Sequence, residues 1–427
     1  MHVPGRPKRE SSLGEEAAQR QKGSPMSGPL TGVRIVDMTT VLMGPYATQI
    51  LGDLGADVIK VEPPAGDNVR SIGPARHEGM SGLFLHCNRN KRDIVLDLKH
   101  PEGKTALLKL VESADVFIYN VRPQAMARLG LDYETLAAVN PGIVYVGAYG
   151  YGQTGPYASK PAYDDLIQGA VGIPALTMRA GSDVPRYAPL AMVDRIMGLN
   201  VANAVSAALF HRERTGEGQR IDIPMFETMA AFVLSDHMMG YTFEPPLSPP
   251  GYSRLLNEFR KPYRTRDGHV CVLVYNDKQW KTFFTLIGRP ELMEQDPRFS
   301  TISKRTENIR ELYRMVAEVM ATRTTAEWLV LLEEADIPVM PMNTMESLIE
   351  DPHLNAVGFF QEVDHPSEGR VRQMAVGSTW SRTQPAFRSH APRFGQHSDQ
   401  VLREAGYGEE EIAALVEQGV TVLDKPG

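Results

Sequence analysis

Between Val33 and Ala148 the apolar positions come in short continuous runs, with little polar alternation inside them. Val33–Asp37, Asp57–Glu62, Asp93–Leu98, Asp115–Asn120 and Gly142–Ala148 are rich in β-branched and aromatic residues. Runs of this kind predict strands buried on both faces. Between them the apolar spacing changes to that of a helix. "TTVLMGPYATQILGDLGA" is closed by Gly55, "PEGKTALLKLVESA" carries Pro101 in its first turn, and "YETLAAVN" is a shorter third case. Strands alternating with helices predict an α/β fold built on a mostly parallel sheet. Ligands of such sheets bind beyond the carboxyl ends of the strands. The loops to watch are therefore residues 39–46, 63–70, 120–123 and 147–164.

A long helix with closely spaced alanines is predicted from about Asp194 to Arg214, followed by the turn "RTGEGQ" and a strand, "IDIPM", ending at Met225. From Phe243 to Gly251 the chain turns proline-rich, "FEPPLSPPG", which reads as a linker at a domain boundary. Residues 252–345 then read as a smaller α+β domain, and "GFFQEVDHP" with "GRVRQMAVG" as a pair of strands.

Composition narrows the function classes. A chain of 427 residues exceeds a single compact core. A net charge of −7 gives no reason to expect nucleic acid as a partner. The two cysteines, Cys87 and Cys271, are too few for a disulfide framework and stand in apolar surroundings, which fits a reducing cytoplasm. No run of about 18 apolar residues suggests a membrane span. Residues 1–27 are polar, lack the apolar core of a secretory signal and read as a disordered tail, with Met26 a candidate start of ordered sequence.

Chemistry is harder to place. The stretch "GAYGYGQTGP" holds G-x-G-x-x-G at Gly150, Gly152 and Gly155 after a predicted strand. A dinucleotide fingerprint also needs a helix opening on the glycines, and Pro156 and Pro161 argue against one. A glycine-rich turn, or a loop where backbone approaches a ligand, fits better. Histidines are scattered, with no metal-ligand spacing, no phosphate-binding P-loop and no serine-nucleophile motif. What remains are carboxylates at helix starts. Asp194 in "PLAMVDRIMG" and Asp164 with Asp165 in "PAYDDLIQG" are expected to cap helices. Arg89, Lys91 and Arg92 in "HCNRNKRDI" form either a solvated basic turn or a phosphate-binding patch.

Taken together, "GVRIVDMTTVLMGPYATQILGDLGADVIKVEPP", "NRNKRDIVLDLK", "DVFIYNVRPQAMARLG", "YGQTGPYASKPAYDDLIQGAVG", "LFHRERTGEGQRIDIPMFE" and "GQHSDQVLREAGYGEEEIAAL" resemble the class III coenzyme A transferases. That family includes formyl-CoA transferase, the carnitine CoA-transferases and the α-methylacyl-CoA racemases. The resemblance runs in unbroken order from about Leu30 to Val420. It implies a Rossmann-like large domain made from residues 28–240 and 346–427, a linker at 241–251, a small domain at 252–345, and an interlocked homodimer.

The resemblance further implies that coenzyme A enters as acyl-CoA substrate, with no tightly bound cofactor and no metal. It implies that CoA passes between two carboxylic acids through an aspartyl anhydride and an aspartyl-CoA thioester, and Asp194 falls at the nucleophile's position. A helix N-terminus there is expected to hold the carboxylate and lower its pKa. Gly150, Gly152 and Gly155 then belong to a loop beside the acyl-CoA site, where backbone N–H groups stabilise oxyanions. Tyr163 and Asp164 are supporting candidates. Positions matching the CoA contacts are Val41, Leu42, Met43, Arg70, Lys91, Asn120, Val121, Arg128 and Met225, with Lys160 a weaker match; the cations among them are expected on phosphates. Two departures stand out. Racemases of the superfamily carry histidine where this chain has Tyr163, and a phenol is a poor base for α-proton abstraction at neutral pH. The glycine run that closes over the site in some transferases is replaced by "SRLLNEFRKPYRTRDG". Acyl specificity is therefore not carried over, formyl and oxalyl least of all. An acyl-CoA racemase and a non-catalytic acyl-CoA-binding protein are the alternatives. Arg254, Arg260, Arg264 and Arg266 either read a distal carboxylate, favouring dicarboxylates such as succinate, or are solvated hairpin charges.

Overall fold

The computed structural model describes residues 28–424. The expected N-terminal tail lies outside the described residues. The described chain divides into two compact units. One comprises the residues up to Gly147 with Gly198–Ile221 and the residues from Phe359 on; the other comprises Ala148–Met197 and Asp222–Gly358. The proline-rich segment expected at a boundary lies inside the second unit.

The first unit is built on the predicted α/β alternation. β1 (Arg34–Met38), β2 (Asp57–Glu62), β3 (Lys91–Val95), β4 (Val116–Tyr119), β5 (Val144–Tyr149) and β6 (Gln219–Pro224) form one sheet in the order β3-β2-β1-β4-β5-β6. The neighbouring pairs from β3 to β5 are all parallel. This order places the topological switch point between β1 and β4. Ile35, Val36, Ile59, Phe117, Ile118 and Val146 are fully buried, as the uninterrupted apolar runs predict. β3 begins two residues earlier than expected, because Lys91 pairs in register with Val58 and is itself buried. The helix Pro101–Glu112 starts on its proline, with His100 Nδ1 accepting from the Glu102 N–H, and the helix Pro123–Leu129 stops at Gly130 in the left-handed conformation. The hairpin Phe360–His365/Gly369–Met374 forms as read from the sequence.

In the second unit, a core of Trp280, Phe283, Phe284, Leu312, Val316, Trp328 and Leu332 joins the helices Asp277–Leu286, Ile309–Met320 and Thr325–Glu334. The strands Tyr263–Arg264, His269–Val272 and Val339–Pro341 pair antiparallel against it. Residues 252–345, expected to be a separate α+β domain, combine these helices and antiparallel strands within the second unit.

Candidate active site

The loops after β1 and β4 are built around one asparagine. Asn120 accepts from the Thr40 N–H at 3.0 Å and donates to the Thr40 carbonyl at 2.8 Å, so it clasps the two loops across the switch point. The next residue, Val41, has φ of 69°. A β-branched residue there is strained, and such outliers persist only where the surroundings hold them. The holding group is Asp67, which accepts from the Val41 N–H at 3.0 Å. Asp67 is itself paired with the fully buried Lys60 at 2.9 Å, and Lys60 also donates to the Thr39 carbonyl. Gly44 must remain glycine, because a Cβ would lie 2.2 Å from the Thr39 side chain. Val41, Leu42, Met43, Asn120 and Val121 thus cluster where an α/β sheet receives its ligand. Arg128 is exposed in the last turn of Pro123–Leu129.

Arg70 and Lys91 are placed differently from expectation. Lys91 has no exposed side chain, and its ammonium donates to Asp37, Asn88 and the Pro45 carbonyl at 3.1, 2.9 and 3.0 Å. All three of its donors are used inside the fold. Burial, with Lys60 nearby, pulls its pKa down to about 8 against the attraction of Asp37. Arg70 grips Glu62 through Nε and Nη2 and lies 3.8 Å from the centre of the Phe84 ring. Arg89 pairs with Asp53, and Arg92 with Asp57 and Glu404. The basic run is therefore neither a solvated turn nor an open phosphate patch. Its charges hold the first unit together. The signal was present in the sequence: Asp37, Lys60, Glu62 and Asp93 are charges inside apolar strand runs, where an unpaired charge is costly.

Asp194 and Asp164 meet in the second unit. Asp194 lies in the first turn of the 24-residue helix Met192–Thr215. It does not cap that helix. The cap is reversed: Asp164 accepts from the Asp194 N–H at 3.0 Å. Gln168, one turn along the helix Asp164–Ala170, donates to the other Asp164 oxygen at 2.6 Å and accepts from the Ala188 N–H at 2.8 Å. Among the described residues, no hydrogen bond reaches the Asp194 carboxylate itself. Burial, reinforced by the Asp164 charge, raises its pKa from 3.8 to about 6, with Arg195 opposing. A lowering by the helix N-terminus was expected; burial and the like charge of Asp164 instead hold Asp194 above the usual carboxylate range. Tyr163 precedes this pair with 68% of its surface exposed.

The glycine stretch opens no helix, since the next one begins only at Asp164. Its glycines answer to packing. A Cβ on Gly150 would lie 2.3 Å from that of Ala162, and one on Gly152 would lie 2.7 Å from Glu227. Glu227 also accepts from the Gly152 N–H at 2.9 Å, so that amide is already engaged. Glu227 escaped sequence reasoning, because 75 residues separate the pair. Met225 is buried at the start of Met225–His237, and Lys160 lies 3.9 Å from the centre of the Tyr157 ring. Among the described residues no group of three or more His, Cys, Asp or Glu is placed to hold a metal ion, and no helix is long and apolar enough to cross a membrane.

Known proteins share this arrangement of chain. The model of CoA-transferase family III matches residues 30–398. The succinate–glutarate CoA-transferase of Agrobacterium fabrum is 34% identical over 88% of this chain and 95% of its own length. The human succinyl-CoA:glutarate CoA-transferase is 32% identical over 92% of this chain and 90% of its own. A CaiB/BaiF family protein from Brucella suis, solved by crystallography, superposes with a TM-score of 0.74 at 33% identity, over 89% of this chain and all of that one. With the switch-point loops and the paired aspartates in place, the chain belongs to CoA-transferase family III.

Proposed function

We propose that this enzyme moves coenzyme A from an acyl-CoA donor to a free carboxylic acid, with Asp194 as the covalent relay. The reading rests on one observation above others: a largely buried carboxylate, without a hydrogen bond of its own among the described residues, held beside a second carboxylate with its pKa raised to about 6. At neutral pH most of Asp194 is ionised, yet it is poorly solvated and more basic than an ordinary aspartate, as a carboxylate nucleophile requires.

The sequence of steps balances without a co-reactant. Asp194 attacks the donor carbonyl and expels the CoA thiolate, leaving a mixed anhydride. The thiolate attacks the aspartyl carbonyl and releases the donor acid, leaving an aspartyl-CoA thioester. The acceptor carboxylate attacks that thioester, regenerating the thiolate and forming a second anhydride. The thiolate then attacks the acceptor carbonyl, and Asp194 leaves as carboxylate with the new acyl-CoA. Asp164 does no bond-making; it positions the helix turn that carries Asp194 and keeps it basic. The switch-point residues Val41, Leu42, Met43, Asn120 and Val121 receive the CoA, with Arg128 toward its phosphates. Exposed apolar side chains at Leu199, Phe210 and Phe232 support a homodimer.

The test is intact-protein mass spectrometry after mixing with succinyl-CoA, quenching with hydroxylamine or borohydride, and peptide mapping. Succinyl-CoA is the first donor and glutarate the first acceptor because the relatives above bear those names. A modification on Asp194, absent from Asp194→Ala, is expected. No adduct with any donor, together with solvent deuterium entering the α-carbon of an acyl-CoA, would turn the reading toward racemisation.

A further inference from the structure

The second unit holds a cavity of about 350 Å³ lined by Arg254, Arg260 and Lys261 on one side and by Tyr263, Trp280 and Tyr313 among its other walls. We infer that it binds a short dicarboxylate, with the carboxylates on the three cations and the hydrocarbon spacer against the aromatic wall. No acidic residue lines the cavity. Among the described residues, no carboxylate lies within ion-pair distance of Arg254, Arg260 or Lys261, whereas Arg70, Arg89 and Arg92 in the first unit are all paired. Uncompensated positive charge in a concave, partly apolar wall favours an anion. The Arg254 Nε donates to the Tyr313 hydroxyl at 3.0 Å, and its guanidinium lies 5.1 Å from the centre of the Tyr275 ring, so its fork is oriented in advance. The volume is at the small end for ligand pockets. It suits an acid of a few carbons and is too small for a whole acyl-CoA. A monocarboxylate would bring one charge to three cations. Arg264 and Arg266, which the sequence placed with Arg254 and Arg260, do not line this cavity, and Arg266 pairs with Glu327 at 3.2 Å. Identifying the bound acid as a transfer substrate rests on the function proposed above; the pocket itself does not.

Cys271 lines the same cavity and is half-buried, while Cys87 is fully buried and serves as internal control. The experiment follows alkylation of Cys271 by N-ethylmaleimide in the full-length protein, by peptide mass spectrometry. The probes are succinate, glutarate, butyrate and 3′,5′-adenosine bisphosphate. Succinate and glutarate are expected to slow labelling at least fivefold and saturably, and butyrate to leave it unchanged. Arg260→Ala and Lys261→Ala, both at exposed positions, are expected to abolish that protection, and Arg254→Lys to weaken it. Calorimetric titration with succinate is run on the same proteins, with at least a tenfold rise in Kd expected for Arg260→Ala. The proposal is overturned if succinate neither protects Cys271 nor titrates, if Arg260→Ala leaves both unchanged, or if only the bisphosphate protects, which would make the pocket a phosphate site. An Asp194 adduct without succinate protection would end this proposal and leave the transferase standing. Protection without any adduct would do the reverse.

Discussion

Asp37 and Asp194 are the same residue type in opposite electrostatic settings. Asp37 is fully buried beneath the switch-point loops, yet Lys91 and Lys60 and the hydroxyls of Thr39 and Thr48 hold its pKa below the usual value against burial. Asp194 is less buried, but burial and the charge of a second carboxylate, Asp164, outweigh Arg195, and its pKa rises to about 6. A second contrast lies close by. Glu62 and Asp93 are also neighbouring carboxylates, but Arg70 sits against both, at 2.6 and 3.5 Å. Glu62 is held at about 2 despite burial, by the neighbouring Asp93 carboxyl and the Arg70 guanidinium, while burial beside Glu62 pushes Asp93 well above the carboxylate range. There the proton and the arginine absorb the repulsion, and the result is a scaffold. Around Asp194 the Arg195 charge opposes the rise only in part, and the remaining repulsion raises basicity. On the proposal that Asp194 is the relay, burial alone does not mark a reactive carboxylate; burial beside a like charge does.

The sharpest way to break this comparison is to neutralise each aspartate site in turn. Asp194→Asn is expected to lower the transfer rate by roughly 10⁴-fold or more, measured with saturating donor and acceptor. The same change is expected to stabilise the fold. A carboxyl whose folded pKa is raised binds its proton more tightly when folded, so ionisation weakens the fold as pH climbs from about 4 to about 6. Removing it adds on the order of 1–2 kcal/mol at pH 7 and almost nothing at pH 3.5, readable by urea unfolding. Equal stability of both proteins at both pH values would refute the raised pKa.

Lys91→Met tests the opposite setting. It leaves Asp37 buried with one lysine fewer, at an expected cost of about 3–5 kcal/mol. Asp37 has a depressed pKa, so the stability it contributes is present above the ordinary carboxylate range and is lost as pH falls through its folded value. Urea midpoints for the wild type and Lys91→Met should therefore converge in acid. A neutral outcome at pH 7 would show that Lys60 alone suffices.

Asp164→Asn is a smaller change. It removes the like charge but keeps a side chain able to accept from the Asp194 N–H. On the proposed mechanism the acid limb of the rate profile is expected near pH 6 in the wild type and about one pH unit lower in the variant. The maximal rate should fall by roughly tenfold or less, as Asp194 becomes less basic. An unmoved acid limb would leave burial as the sole cause. Smallest of all, Arg128→Ala is expected to raise KM for acyl-CoA by about three- to tenfold with kcat unchanged, as an exposed phosphate contact would.

How much of this was legible in the chain follows from the range of each effect. Strand and helix identity is set by local spacing, so β1, β2, β4 and β5 and the helix from Pro101 stand close to where the pattern predicts them. β3 begins earlier because its limit depends on pairing with β2, which periodicity does not report. The proposed role of Asp194 was read from ordered motifs running from about Leu30 to Val420. Its environment was not. Asp164 is 30 residues away, Lys91 is 54 from Asp37, and Glu227 is 75 from Gly152. The sequence by itself determined the element order, the helix that carries Asp194 and the family. Only tertiary structure decided which charges are neutralised and which are left to act, because a pKa is set by the groups within a few ångströms and folding chooses those neighbours without regard to their distance along the chain.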